Sequence, residues 1–335
     1  MKKIELRINV GSAVPLGGTQ YVAGTAYLPD GKLMSPPLVI FASPGGGYSR
    51  GYFDMHFEGR VGYSEAGYHT GRGIIFVAQD HLGVGDSSID HADDLTVEMI
   101  AAGAHAFVGH VLEQLTQGTL DRSCPALKDA TVIGIGQSMG AGVTMVMQGR
   151  HRTFDAIAPL GISAIHTMLP QPTVEATLAV RDVFRFSRLT PLDELIVSGT
   201  GAQVSDFVYP FHWEDLPQDV LDADIKTGYQ LRKITPPFGS RTVPRCAVAM
   251  MSRGYFTPEV AAIDVPVLMA YGERDTSPDV RQEPSAFIRS NDISVFIVPK
   301  MAHMHNFAGT RELLWQRVAD WAQMIARAKV AHDII

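Results

Sequence analysis

Ser138 lies in Gly136-Gln137-Ser138-Met139-Gly140. A serine flanked by glycines in this way can be presented on a sharp strand-to-helix turn, with its Oγ free to attack an acyl carbon. Glycine is common enough for this pattern to arise by chance, so the flanks decide. The apolar run Thr131 to Ile135 precedes it, and Ala141 to Met147, compatible with a helix, follows. Free N–H groups at the start of that helix, Met139 first, can stabilise a developing oxyanion. A second donor is expected from Ser43-Pro44-Gly45-Gly46-Gly47-Tyr48, with Gly46 favoured by position and Gly47 as the alternative. A phosphate-binding loop would instead want a Lys followed by Ser or Thr, and none stands there.

A serine hydroxyl is a poor nucleophile unless a base takes its proton and a carboxylate orients that base. Two loops supply such groups. After the apolar run Val265 to Ala270 comes Tyr271-Gly272-Glu273-Arg274-Asp275-Thr276-Ser277-Pro278-Asp279, in which Asp275 is the choice for the acid and Glu273 and Asp279 compete. After Ile293 to Val298 comes Pro299-Lys300-Met301-Ala302-His303-Met304-His305-Asn306. His303 follows a small residue a short way ahead of the last helical pattern and is favoured as the base, with His305 the alternative. A His-x-His pair can also bind metal, but no companion set of Asp or His accompanies it, so neither metal nor cofactor is expected.

These loops need a frame. Lys3 to Val10 and Thr19 to Leu28 alternate polar and apolar residues around a turn ending in Gly17-Gly18, as an antiparallel pair at a sheet edge would. Leu38 to Ala42, Ile74 to Ala78, Thr131 to Ile135, Val265 to Ala270 and Ile293 to Val298 are short and almost wholly apolar, the signature of parallel strands buried on both faces. Between them run helical patterns, clearest from Leu95 to Leu115 and from Thr310 to Ile325. Alternating strands and helices imply a mostly parallel sheet covered on both sides. The rhythm breaks between about Ser163 and Ala262, where Pro and aromatic residues are frequent. This stretch reads as an inserted cap, with pieces at Asp182 to Arg188 and at Phe207 to Asp215. Phe207, Tyr209, Phe211 and Trp213 would give it an apolar lining for the substrate pocket.

The chain has 335 residues, 46% of them hydrophobic and 19% charged, enough to bury a large core. A net charge of -7 with scattered Lys and Arg offers nothing to attract nucleic acid. No apolar run approaches the ~20 residues that span a bilayer. Charges interrupt the first residues where a secretion signal would be apolar, and Cys124 and Cys246 are too few for a disulfide framework. The reading is a cytoplasmic protein whose partner is a small-molecule acyl substrate.

With these loops in view, the chain resembles the α/β-hydrolase superfamily over nearly its whole length outside the cap. Asp80-His81-Leu82-Gly83-Val84-Gly85-Asp86-Ser87 is also similar to a structural turn common in that group. The resemblance implies an eight-stranded, mostly parallel sheet with helices on both faces and a mainly helical cap. It implies hydrolase core at 1–162 and 263–335, cap at 163–262, and the chain order serine, acid, histidine. The glycine loop departs from the usual His-Gly pattern in having Pro44-Gly45. The expected activity is hydrolysis of a hydrophobic ester or lactone through an acyl-enzyme on Ser138. A carbon-carbon bond hydrolase, thioesterase, amidase or acyltransferase would use the same groups, and a slow-turnover ligand receptor can share the fold.

Overall fold

Apolar runs too short for helices become the inside of one sheet. The computed structural model describes residues 1–183, 207–229, 232 and 234–332. Eight strands, β1 (Lys2–Asn9), β2 (Tyr21–Leu28), β3 (Leu38–Ser43), β4 (Ile75–Gln79), β5 (Thr131–Gln137), β6 (Ala156–Leu160), β7 (Val267–Gly272) and β8 (Ile293–Val298), lie in the order β1-β2-β4-β3-β5-β6-β7-β8. β2 runs antiparallel to β1 and β4, and every other neighbouring pair is parallel. The edge pair β1–β2 is as expected: β1 alternates exposed and half-buried residues, whereas β3 and β4 are buried throughout.

Pleating divides the apolar residues of each central strand between two cores. Val39 and Phe41 face the side covered by α2 (Val97–Gln117) and α3 (Met139–His151), where Phe107, Val111 and Val143 pack. Ile40 and Ala42 face the side covered by α1 (Glu65–Thr70) and the last helix (Arg311–His332), where Leu314, Val318 and Trp321 pack. α2 starts at Thr96, whose side chain accepts from the Met99 amide, and stops at left-handed Gly118.

β6 is a strand that periodicity did not point to. Its sequence, Ala-Ile-Ala-Pro-Leu, carries a proline in the middle of a sheet, where a missing N–H ordinarily breaks the ladder. The register shows how it is accommodated: β6 pairs with β5 from Ala156 to Leu160, but with β7 only at Ile157–Val267 and Leu160–Ala270. The interruption falls beside Pro159.

Between β6 and β7 the named elements among the described residues are all helices, joined by loops: α4 (Val174–Val183), α5 (Val208–Phe211), α6 (Gln218–Ile225), α7 (Cys246–Ala249) and α8 (Thr257–Val260). The last helix is thus α9. Asp182 ends in α4, whereas 184–188 of the expected Asp182 to Arg188 piece lie outside the described residues. Among the described residues, no helix is long and apolar enough to cross a membrane.

Candidate active site

Ser138 stands between the end of β5 and the start of α3 with φ 52° and ψ −118°, a conformation that ordinary residues avoid. Its amide is held by the Leu160 carbonyl at 2.8 Å. The flanking glycines are explained by space. A Cβ on Gly136 would lie 2.2 Å from the Gly140 carbonyl oxygen, and one on Gly140 would lie 2.0 Å from that of Ser43. Both obstacles are backbone and cannot rotate away. Gly140→Ala is therefore expected to cost about 3 kcal/mol or more; a thermal midpoint within ~2 °C of the wild type would refute the close approach.

Three loops at the C-terminal ends of β5, β7 and β8 converge on this serine. The Ser138 Oγ is 2.9 Å from His303 Nε2, and His303 Nδ1 is 2.7 Å from Asp275 Oδ1. With Nδ1–H donating to the carboxylate, Nε2 keeps a lone pair toward the serine hydroxyl. His305 lies on the far side: its Nε2 is 2.7 Å from Asp275 Oδ2. The two histidines therefore share one carboxylate, and only His303 contacts Ser138. Asp275 also accepts from the Gly272 and Thr276 amides at 2.8 and 2.7 Å. Burial works to raise the Asp275 pKa, but the charges and hydrogen bonds of His303 and His305 outweigh it and hold the carboxyl well below the usual range. The competing acids sit elsewhere. Glu273 and Asp279 are exposed, Glu273 accepting from the Lys300 amide and Asp279 from Arg281 and Gln282.

Several residues without a sequence signal hold the histidine loop. Buried Gln137 donates from Nε2 to the His303 carbonyl at 2.8 Å. Asn306 donates to Glu65 at 2.7 Å and accepts from the Trp315 indole at 2.8 Å, tying the loop to α1 and α9. From the other side, the His303 and Met304 amides donate to the Pro210 and Phe211 carbonyls at 3.1 and 2.9 Å.

The glycine loop after β3 borders the same point. A Cβ on Gly45 would come 3.4 Å from Ser138 Cβ, and one on Gly46 would come 4.0 Å from Met139 Sδ. Among the described residues, neither the Met139 nor the Gly46 amide donates to a protein acceptor. His81, from the turn after β4, supports the loop from below, with Nε2 2.8 Å from the Pro44 carbonyl. Burial pushes the His81 imidazole down to about 4, so it stays neutral and donates from Nε2. Its pKa in an unfolded chain is about 6.5, above the folded value, so the unfolded state binds the proton more readily. This contribution to stability, on the order of 3 kcal/mol, is complete above about pH 6.5 and is lost as pH falls toward 4. His81→Gln is expected to flatten that acid limb, measured as urea midpoints between about pH 7 and pH 4; an unchanged slope would rule His81 out.

Beside Ser138 and His303 lies a cavity of about 120 Å³ with a mainly apolar wall that includes Ile162, Leu169, Val243 and Met250. Phe207 and Phe211 line it; Tyr209 and Trp213 do not. The latter two enclose the Arg274 guanidinium, 4.0 and 4.7 Å from their ring centroids, in a separate cleft. Helical spacing accounts for the first pair: Phe207 and Phe211 share one face of α5 by an i,i+4 relation and Tyr209 stands on another, whereas the chain turns extended at His212 before it reaches Trp213. Reading the four aromatics as one lining is corrected accordingly.

The sequence matches no protein-family model and no curated protein. Solved structures do resemble it. A thermophilic esterase from Thermogutta terrifontis is 15% identical with a TM-score of 0.61, the match covering 96% of this chain and 99% of that one. A monoglyceride lipase variant from Saccharomyces cerevisiae is 14% identical with a TM-score of 0.61, over 96% and 94% of the two chains. A haloalkane dehalogenase variant from Bradyrhizobium elkanii is 16% identical with a TM-score of 0.61, over 99% and 100%. At such identities the likeness is one of fold, and fold does not choose a reaction. The strand order, the single antiparallel strand inside the sheet and these matches together show that the chain has the fold of the α/β-hydrolase superfamily.

Proposed function

We propose that this protein is a serine hydrolase that cleaves a carboxylic ester, or a lactone, through an acyl-enzyme on Ser138. The observation that carries the reading is the continuous relay from Ser138 Oγ through both nitrogens of His303 to Asp275. His303 Nε2 takes the serine proton as Oγ attacks the ester carbonyl. The resulting oxyanion is held by the Met139 and Gly46 amides, each such donor being worth about 10² to 10³ in rate. His303 returns the proton to the departing alcohol, then takes one from the water that attacks the acyl-enzyme. Asp275, ionised throughout, orients His303 and offsets its charge. Because position 138 is a serine, the dehalogenase-type aspartyl ester intermediate has no residue to form on.

The apolar cavity supports a neutral, hydrophobic acyl group. Phe207, Phe211 and Tyr229 in its wall support the assignment of 163–262 as a cap over the site. Cys124 and Cys246 are buried and unpaired, which fits a reducing, cytoplasmic setting. The reading is tested on the purified protein with matched panels of esters, lactones, thioesters and diketones. Ester or lactone turnover well above that of Ser138→Ala is expected. Turnover confined to thioesters or diketones would move the reading to another bond, and stoichiometric binding without turnover would make the chain a receptor.

A further inference from the structure

We infer that Tyr229 and Arg232 are positioning residues for the oxyanion site, so that the segment between β6 and β7 completes that site as well as covering it. The inference rests on the reading of Gly46, or its neighbour Gly47, as an oxyanion donor.

Three successive glycines have no side chains to anchor them and a wide choice of backbone conformations. Their carbonyls are nevertheless each held. The Gly45 carbonyl accepts from the Tyr48 amide at 3.2 Å, within the loop itself. The Gly46 carbonyl accepts from the Tyr229 hydroxyl at 3.1 Å. The Gly47 carbonyl accepts from the Ser240 amide at 3.0 Å and from Arg232 Nε at 3.3 Å. These peptide bonds are trans, so each carbonyl and the N–H that follows it point in opposite directions. Holding Gly46 C=O aims the Gly47 N–H and, by fixing the peptide on one side of the Gly46 Cα, limits how far the Gly46 N–H on the other side can turn. Holding Gly47 C=O aims the Tyr48 N–H, which holds Gly45 C=O and so aims the Gly46 N–H. Both possible donors are therefore oriented by bonds that begin outside the loop.

The outer anchor is itself fixed. Arg232 is fully buried and donates to Asp224 Oδ1 at 2.6 Å. The second Asp224 oxygen accepts from the Tyr48 hydroxyl at 2.8 Å and lies 2.8 Å from His212 Nε2. One buried carboxylate thus joins the arginine that holds Gly47 to the tyrosine next to it in the chain. Such a group shapes the site without touching substrate, a placement that pays off only if the amides must be aimed before the oxyanion forms.

Removing Arg232 or Asp224 would strand a buried charge and unfold the segment, so the test uses Tyr229→Phe, which deletes one hydroxyl and keeps the ring. The expected result is a fall in kcat of about 10- to 100-fold with KM for the same ester within about twofold. Affinity for a trifluoromethyl ketone carrying the same acyl group, which forms a tetrahedral oxyanion adduct on Ser138, should fall by the same factor. Amide hydrogen exchange across residues 44–48 should quicken, with the thermal midpoint unchanged. An unchanged kcat, or a loss seen in KM alone, overturns the inference. The exchange measurement needs no turnover: if the wild type hydrolyses no ester, the functional reading fails by itself, and unchanged exchange in Tyr229→Phe still refutes the anchoring.

Discussion

Ser138→Ala is expected to lower kcat by about 10⁴ to 10⁶-fold and to abolish labelling by a fluorophosphonate probe. The effect is large because, among the described residues, Ser138 alone has a hydroxyl on His303 Nε2. The substitution removes only Oγ, and with it the 2.9 Å contact to His303. The strained backbone at position 138 already carries a Cβ, so the turn is unchanged and stability should move by no more than about 0.5 kcal/mol. What remains is the residual rate that oxyanion donors and binding provide on their own. Labelling that persists at the wild-type rate in the folded variant would exclude Ser138 as the nucleophile.

The two histidines should separate by orders of magnitude. His303→Ala removes the one nitrogen that faces Ser138 and is expected to cost about 10⁴-fold or more in kcat. His305→Ala leaves the Ser138–His303–Asp275 relay intact and removes one of two bonds to Asp275 Oδ2, the other coming from the Gly272 amide at 2.8 Å. A loss of about 10- to 100-fold follows from the looser carboxylate, since orientation rather than proton transfer is impaired. Steady-state kinetics on one ester, with circular dichroism as the folding check, compares the two. Equal mild losses would remove His303 from the role of base.

How far the sequence carries depends on the range of the interactions involved. The glycine-flanked turn at Ser138, the apolar strands and the periodic helices α2 and α9 were legible because their causes lie within a few residues of chain. β6 was not, because Pro159 reads as a strand breaker and only the interrupted ladder with β7 shows why it is tolerated. The aromatic run from Phe207 to Trp213 looked like one lining; a short helical turn, and the extended residue His212 that ends it, split the run into two pairs with different surroundings.

Asp224 and Arg232 left no trace in the sequence, since charged residues in an irregular segment ordinarily read as surface. Only the fold buries them together, and only there do they reach a loop more than 170 positions away, Tyr48 and Asp224 being 176 apart in the chain.

By itself, the sequence determined the sheet-and-helix alternation, the serine on its turn, and the two loops that could bring it an acid and a base. Its place after a small residue favoured His303, and the tertiary structure then decided that His303 faces Ser138 while His305 faces Asp275. Two side chains two residues apart on an irregular loop have no periodicity to rank them, and the choice is made by a carboxylate arriving from another strand. It likewise decided what aims the amides of the glycine loop. Glycines carry no side-chain preference of their own, so their orientation must come from whatever the fold packs against them.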